Sequence, residues 1–161
     1  MYINNMLEAK DIRVRNIERL LKKDKVVISL RCNYPGNDKN NYYTNKVVNI
    51  LREVIEDRFS VTETLFLPSL EGPVYLYVTD SRDPREIKQK AMTVEDNHPL
   101  GRLADIDVYY QSIRGISRKE FNKSYRKCYV CSDSAFNCMV GKKHSLYDIQ
   151  KFFKNTANVS F

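Results

Sequence analysis

His98-Pro99-Leu100-Gly101-Arg102-Leu103-Ala104-Asp105-Ile106-Asp107-Val108 is the stretch from which the rest of the chain is best read. A glycine-containing turn runs into a short segment in which acidic and apolar residues alternate. Alternation of this kind predicts a strand with one face in the core and the other in a cleft. Residues i and i+2 of a strand share a face, roughly 7 Å apart. Asp105 and Asp107 are therefore placed side by side, with Ile106 and Val108 turned inward. Two such carboxylates can share one hard cation or bridge two ions about 4 Å apart, which is an arrangement for phosphate chemistry. A surface strand with two solvated acids gives the same pattern, and spacing alone leaves both readings open.

The residues just upstream support the cleft. Gly101 permits backbone amides to approach a phosphate, and Arg102 can grip phosphate oxygens in bidentate fashion. A plain turn and a solvated cation are the alternatives. His98, on the same loop, is a candidate general base or phosphate contact.

Outward from this segment the pattern predicts helix over 7–23, strand over 26–30, a polar loop over 32–41 with turn chemistry at Pro35-Gly36, and helix over 44–58. Strands follow at 61–67 and 74–78, joined by a connection short enough to make them antiparallel neighbours. Asp83-Pro84-Arg85-Glu86 reads as a helix start, with Asp83 as N-cap, Pro84 in the first turn and Glu86 closing a capping box. That helix runs to about Val94. Residues 111–127 are polar and irregular, and 145–153 form a short terminal helix. The order implies a mixed sheet with helices, α+β or α/β.

The 161 residues and net charge of +7 fit one domain over 1–161 with a small Cys/His-containing subregion over 126–161. The charge suits an anionic partner, or solubility alone. No apolar run approaches the roughly 18 residues of a membrane span, and Met1 to Asp11 lacks the pattern of a leader. A cytoplasmic location is expected, where the four cysteines stay reduced. Cys128-x₂-Cys131-x₆-Cys138-x₅-His144 has the spacing of a Cys₃His structural zinc site; buried free thiols are the alternative. A basic zinc module for nucleic acid is a competing reading, compatible with eleven tyrosines. It does not account for two acids on a strand after Gly-Arg, so no nucleic acid and no membrane partner is expected.

The chain resembles the holo-acyl-carrier-protein synthases of citrate lyase, the apo-citrate lyase phosphoribosyl-dephospho-CoA transferases. The matching pieces are Val27-Ile28-Ser29-Leu30 leading into Asn33-Tyr34-Pro35-Gly36 and Lys39; Gly72-Pro73; the whole His98 to Val108 block; Ile116-Ser117-Arg118; and Arg126-Lys127-Cys128-x-x-Cys131, then Ala135, Cys138 and His144-Ser145. One departure follows Cys138, where Met139-Val140-Gly141-Lys142-Lys143 stands in place of the family's arginines; lysine keeps the charge but loses the planar fork.

The resemblance implies transfer of a phosphoribosyl-dephospho-CoA unit from its triphosphoribosyl precursor to a serine of the citrate lyase acyl carrier protein, with diphosphate leaving. The equivalent transfer to a malonate decarboxylase carrier is the nearest alternative. The chemistry is nucleotidyl-type, and a D-h-D strand after a glycine turn is similar to polymerase-β-type nucleotidyltransferases. On that basis Asp105 and Asp107 hold Mg²⁺. Gly101, Arg102, Lys39 and Arg118 contact substrate phosphates, and an aspartate or His98 takes the serine proton.

Overall fold

The computed structural model describes residues 5–159; the outermost residues of the expected 1–161 span, and Met1–Asn4 of the segment read for a leader, lie outside them. The elements run α1 (Met6–Leu21), β1 (Val27–Cys32), α2 (Tyr42–Arg58), β2 (Val61–Leu67), β3 (Val74–Thr79), α3 (Pro84–Asn97), β4 (Ala104–Tyr109), α4 (Ala135–Val140) and α5 (Leu146–Ala157). The four strands form one sheet in the order β2-β3-β1-β4, and every pairing is antiparallel. The class is therefore α+β. The expected mixed sheet is antiparallel throughout, because β2 and β3 form a hairpin-like pair and β1 inserts between β3 and β4 against both.

Strand position follows from composition. β1 is buried along nearly its whole length because it lies between neighbours and is covered on both faces. This is the environment that a continuous run such as Val27-Ile28-Ser29-Leu30 suits. β2, at the edge, alternates half-buried and exposed residues through Val-Thr-Glu-Thr-Leu-Phe-Leu.

The larger core lies on the sheet face carrying Ile28, Leu30, Ile106 and Val108, packed against Val47, Val48, Leu51 and Ile55 of α2 and Phe153 and Ala157 of α5. The opposite face carries a smaller cluster in which Val27, Leu76, Val78 and Tyr109 meet Ile17 and Leu20 of α1. Cross-strand partners share a face, and Ser29 pairs with Asp107 while Arg31 pairs with Asp105. The α1 face thus passes from an apolar half into a polar half.

Helix boundaries have local causes. α2 begins two residues before the expected Thr44, because the Asn41 side chain accepts from the Tyr43 and Thr44 amides while Thr44 Oγ1 accepts from the Asn41 amide. Asp83 caps α3 as expected, accepting from the Arg85 and Glu86 amides. Glu86 does not complete a capping box: the Asp83 amide donates to Ser81 Oγ instead, and Glu86 pairs with Lys90 at 2.8 Å. α3 continues past Val94 to Asn97 and stops at His98, held extended by the proline that follows. No helix among the described residues is long and apolar enough to cross a membrane.

Candidate active site

β4 puts Ala104, Ile106 and Val108 in the core and Asp105 and Asp107 on the opposite face, as the alternation requires. The two acids line a cleft of about 410 Å³ with Asn33, Lys88, Glu95, Arg118 and Arg126. Asp105 lies between two guanidinium groups, Arg31 at 3.8 Å and Arg126 at 3.6 Å. Arg31 is 3.5 Å from Glu71, and Glu71 is held by Arg13 in a buried bidentate pair at 2.7 and 3.1 Å. A run of alternating charge therefore crosses the sheet and ends on Asp105.

Asp107 is different. Its carboxylate has no hydrogen-bond or ion-pair partner among the described residues. Burial, and then the negative charge of Asp105, push its carboxyl above the usual aspartate range, opposed by Arg31 and Lys88. Its cross-strand neighbour Ser29 has a buried hydroxyl that is also unpartnered. A buried hydroxyl without a partner beside a half-buried carboxylate that has none calls for an explanation. The donor set, two carboxylates with a hydroxyl beside them and no sulfur or nitrogen, is the chemistry of a hard divalent cation.

Glu95 closes the outer edge of β4. One carboxylate oxygen accepts from the Ile106 amide at 2.9 Å and the other from Arg118 at 2.5 Å. The edge amide that no strand covers is thus satisfied by a side chain.

Several of the residues expected to contact substrate also have partners within the protein. Gly101 does not offer its amide to a ligand, because that amide donates to His98 O at 2.8 Å. The glycine is required by packing: a Cβ there would lie 2.2 Å from Val94 O and 2.5 Å from Glu95 O. Arg102 donates through Nε and Nη2 to Lys127 O and stacks 4.2 Å from the Tyr129 ring centroid, so its fork is committed to the protein while its side chain still lines the cleft. Arg118 lines the cleft too, but is held by Glu95 and by Asp96 at 3.0 Å. Lys39 approaches from the other side of Asp105 and donates to Tyr34 O at 2.6 Å. His98 is not among the residues lining the cleft; its Nδ1 accepts from the Leu100 amide at 3.1 Å, and its imidazole is kept below its ordinary pKa by burial and then by Arg58 of α2.

Arg31, Arg126, Lys88, Glu95 and the Arg13–Glu71 pair were not assigned roles from sequence. Arg31 carried a signal, as the lone charge in an apolar strand. So did Lys88 and Glu95, which fall on the buried stripe of α3 with Ala91 and Met92. The distant partners Arg13 and Glu71 carried none.

In the C-terminal part, the ligand atoms of Cys128, Cys131, Cys138 and His144 lie within 4.8 Å of one another. Cys131 Sγ is 3.4 Å from Cys138 Sγ and 3.3 Å from His144 Nε2. The Val130 amide donates to Cys128 Sγ at 3.4 Å, and residues 127 and 134 bridge to close the loop. The four residues are arranged to hold a metal ion. They are anchored to the start of the acid strand by Arg126, which donates to Ala104 O and Gly101 O, and to the end of β1 by Tyr129, which donates to Asn33 O.

The family model described as apo-citrate lyase phosphoribosyl-dephospho-CoA transferase matches residues 1–159. The chain belongs to this family. A phosphoribosyl-dephospho-CoA transferase of Escherichia coli O7:K1 is 31% identical over 153 residues, covering 91% of this chain and 83% of the relative. One from Citrobacter koseri is 32% identical over 128 residues, covering 76% and 69%. Protein CitXG of Leuconostoc mesenteroides subsp. cremoris is 34% identical over 126 residues, and the match spans 75% of this chain but only 27% of that longer protein. The cleft, the acid pair and the cysteine–histidine cluster all fall within the segment that the transferase family model covers.

Proposed function

We propose that this protein attaches the phosphoribosyl-dephospho-CoA group to a serine of the citrate lyase acyl carrier protein, acting in the cytoplasm on a triphosphoribosyl-dephospho-CoA precursor. The observation that carries the reading is the pair Asp105 and Asp107 on one strand face, the second unpartnered, in the cleft of a chain from this transferase family. The step is nucleotidyl-type: the serine oxygen forms a bond to the α-phosphorus, the α–β P–O bond breaks, and diphosphate departs with the electron pair.

Asp105 and Asp107 would hold Mg²⁺, which when bound supplies charge neutralisation for the triphosphate. Arg31 and Arg126 flank the Asp105 carboxylate and fix its position between them. Arg118 holds Glu95 against the β4 edge, so the strand that carries both acids keeps its position. One carboxylate of the pair takes the serine proton, and His98, which does not line the cleft, is the alternative acceptor. Arg102 shapes the cleft wall, and Lys39 faces the substrate from the Arg31 side.

The test is the intact mass of apo carrier protein after incubation with this protein, the precursor and Mg²⁺. The citrate lyase carrier is expected to gain one phosphoribosyl-dephospho-CoA unit. Modification of a malonate decarboxylase carrier alone would move the assignment to that sister reaction, and no gain on either would refute the transfer.

Zn²⁺ at Cys128, Cys131, Cys138 and His144 is proposed as structural, since four protein ligands leave no open position. Between residues 110 and 152, Cys138 is the one buried residue. A segment with so little core depends on a staple. Protein purified without chelator is expected to carry one zinc per chain by elemental analysis. Stripping it should make residues 126–145 susceptible to protease while the sheet stays protected. A chain without zinc and with unchanged protease resistance would dismiss the site.

A further inference from the structure

Lys88 lies on α3 with its side chain lining the same cleft as Asp107, and it is only 4% exposed. No hydrogen bond or ion pair engages it among the described residues. The other buried cation, Arg13, is matched by Glu71 through two hydrogen bonds. A buried ammonium opposed only by the nearby Asp107 carboxylate, with no hydrogen-bond acceptor engaged, is costly to the empty fold, and a bound anion lowers that cost. Packing does not explain the residue. Lys88 shares a helix stripe with Ala91 and Met92, where an unbranched apolar side chain of similar length fits without any charge to desolvate.

The remaining cations of the cleft are largely committed. Arg118 is taken by Glu95 and Asp96, Lys123 by Asp96, Arg102 by Lys127 O, and Arg126 by Ala104 O and Gly101 O. Lys119 sits over the exposed Tyr125 ring, 5.0 Å from its centroid. Among the described residues lining the cleft, Lys88 is the buried cation whose donors are engaged by no hydrogen bond or ion pair, and its charge acts on the nearby Asp107.

We infer that Lys88 is the phosphate-binding cation of this cleft, donating to oxygens of the diphosphate as it leaves. The naming of diphosphate rests on the transfer reading above; the anion subsite itself rests on the lysine. As the α–β P–O bond breaks, negative charge accumulates on the departing group, and a preplaced ammonium in a dry site stabilises it without any proton transfer. A compact point charge serves here as well as a planar fork.

The experiment compares wild type, Lys88→Met and Lys88→Gln by calorimetric titration with inorganic diphosphate in the presence of Mg²⁺, by carrier-labelling kinetics and by thermal melting. Both variants are expected to bind diphosphate ~10-fold or more weakly and to lose roughly 10²-fold in kcat/KM, on the scale of removing one preorganised donor. Lys88→Met is expected to melt no lower than wild type. Wild-type diphosphate affinity in both variants overturns the inference, and so does a lowered melting temperature with affinity intact, which would mark a structural lysine. If the wild type labels no carrier yet binds diphosphate in a Lys88-dependent way, the subsite stands and the transfer reading falls. Labelling by wild type with unaltered diphosphate binding in the variants gives the reverse.

Discussion

Asp107→Asn is expected to abolish carrier labelling, by about 10³-fold or more, without unfolding the protein. Asn keeps the shape but removes the charge that a divalent ion and a developing phosphate transition state require, an effect of several kcal/mol. Asp105→Asn should act similarly on turnover. The two differ in stability. Asp105 is balanced by Arg31 and Arg126, so its neutralisation leaves two cations facing each other. Asp107 has no partner and suffers both burial and the repulsion of Asp105, so its neutralisation relieves the metal-free fold.

Melting curves of metal-free protein distinguish them, with Asp107→Asn melting at or above wild type and Asp105→Asn below. The pH dependence has a definite sign. An acid whose native pKa is raised destabilises the fold wherever it is ionised in both states. The advantage of Asp107→Asn is therefore full above the raised native value and disappears as pH falls through the window down to the ordinary aspartate range. Retained turnover in both variants would end the metal-clamp assignment.

Gly101→Ala is the second large effect, and it concerns the fold. The added methyl would meet two carbonyl oxygens at the end of α3, which are backbone atoms and cannot rotate away. Relief requires α3 to separate from the turn before β4. A loss of about 3 kcal/mol is expected, a fall in Tm of roughly 6–12 °C for a chain of this size. Gly115→Ala is the control: its Cβ meets nothing closer than a Tyr109 ring carbon at 3.5 Å, so the change should stay within about 0.5 kcal/mol. Equal melting temperatures for the two variants would contradict the packing role. Activity should fall with the Gly101 change as well, since the same shift displaces Glu95 from the Ile106 amide.

What the sequence made legible was whatever is encoded within a few residues. The Asp105/Asp107 face, the α2 stripe of Val47, Val48, Leu51 and Ile55, the Asp83 cap and the clustering of Cys128, Cys131, Cys138 and His144 depend on short-range periodicity or spacing. The protein partners of Gly101, Arg102 and Arg118 were not legible because each lies in another element. Gly101 meets the end of a preceding helix, Arg102 meets the carbonyl of residue 127, and Arg118 reaches back to 95 and 96. A basic side chain near an acidic pair reads as a substrate contact until the protein's own acceptors are located. Direction within the sheet was also out of reach, since neither composition nor period distinguishes β1 pairing antiparallel on both sides from a mixed arrangement. α4 was missed because six residues carry too few turns to register a helical period.

The fastening between the cysteine-rich tail and the acid strand has an evolutionary corollary. Arg102 and Arg126 grasp main-chain oxygens of residues 127, 104 and 101, so the buckle is blind to the side chains on its receiving end. Lys127 can drift to almost any residue without loosening it. The selective pressure of that joint falls on the two arginines and on Tyr129, which lies under Arg102 and donates to Asn33 O.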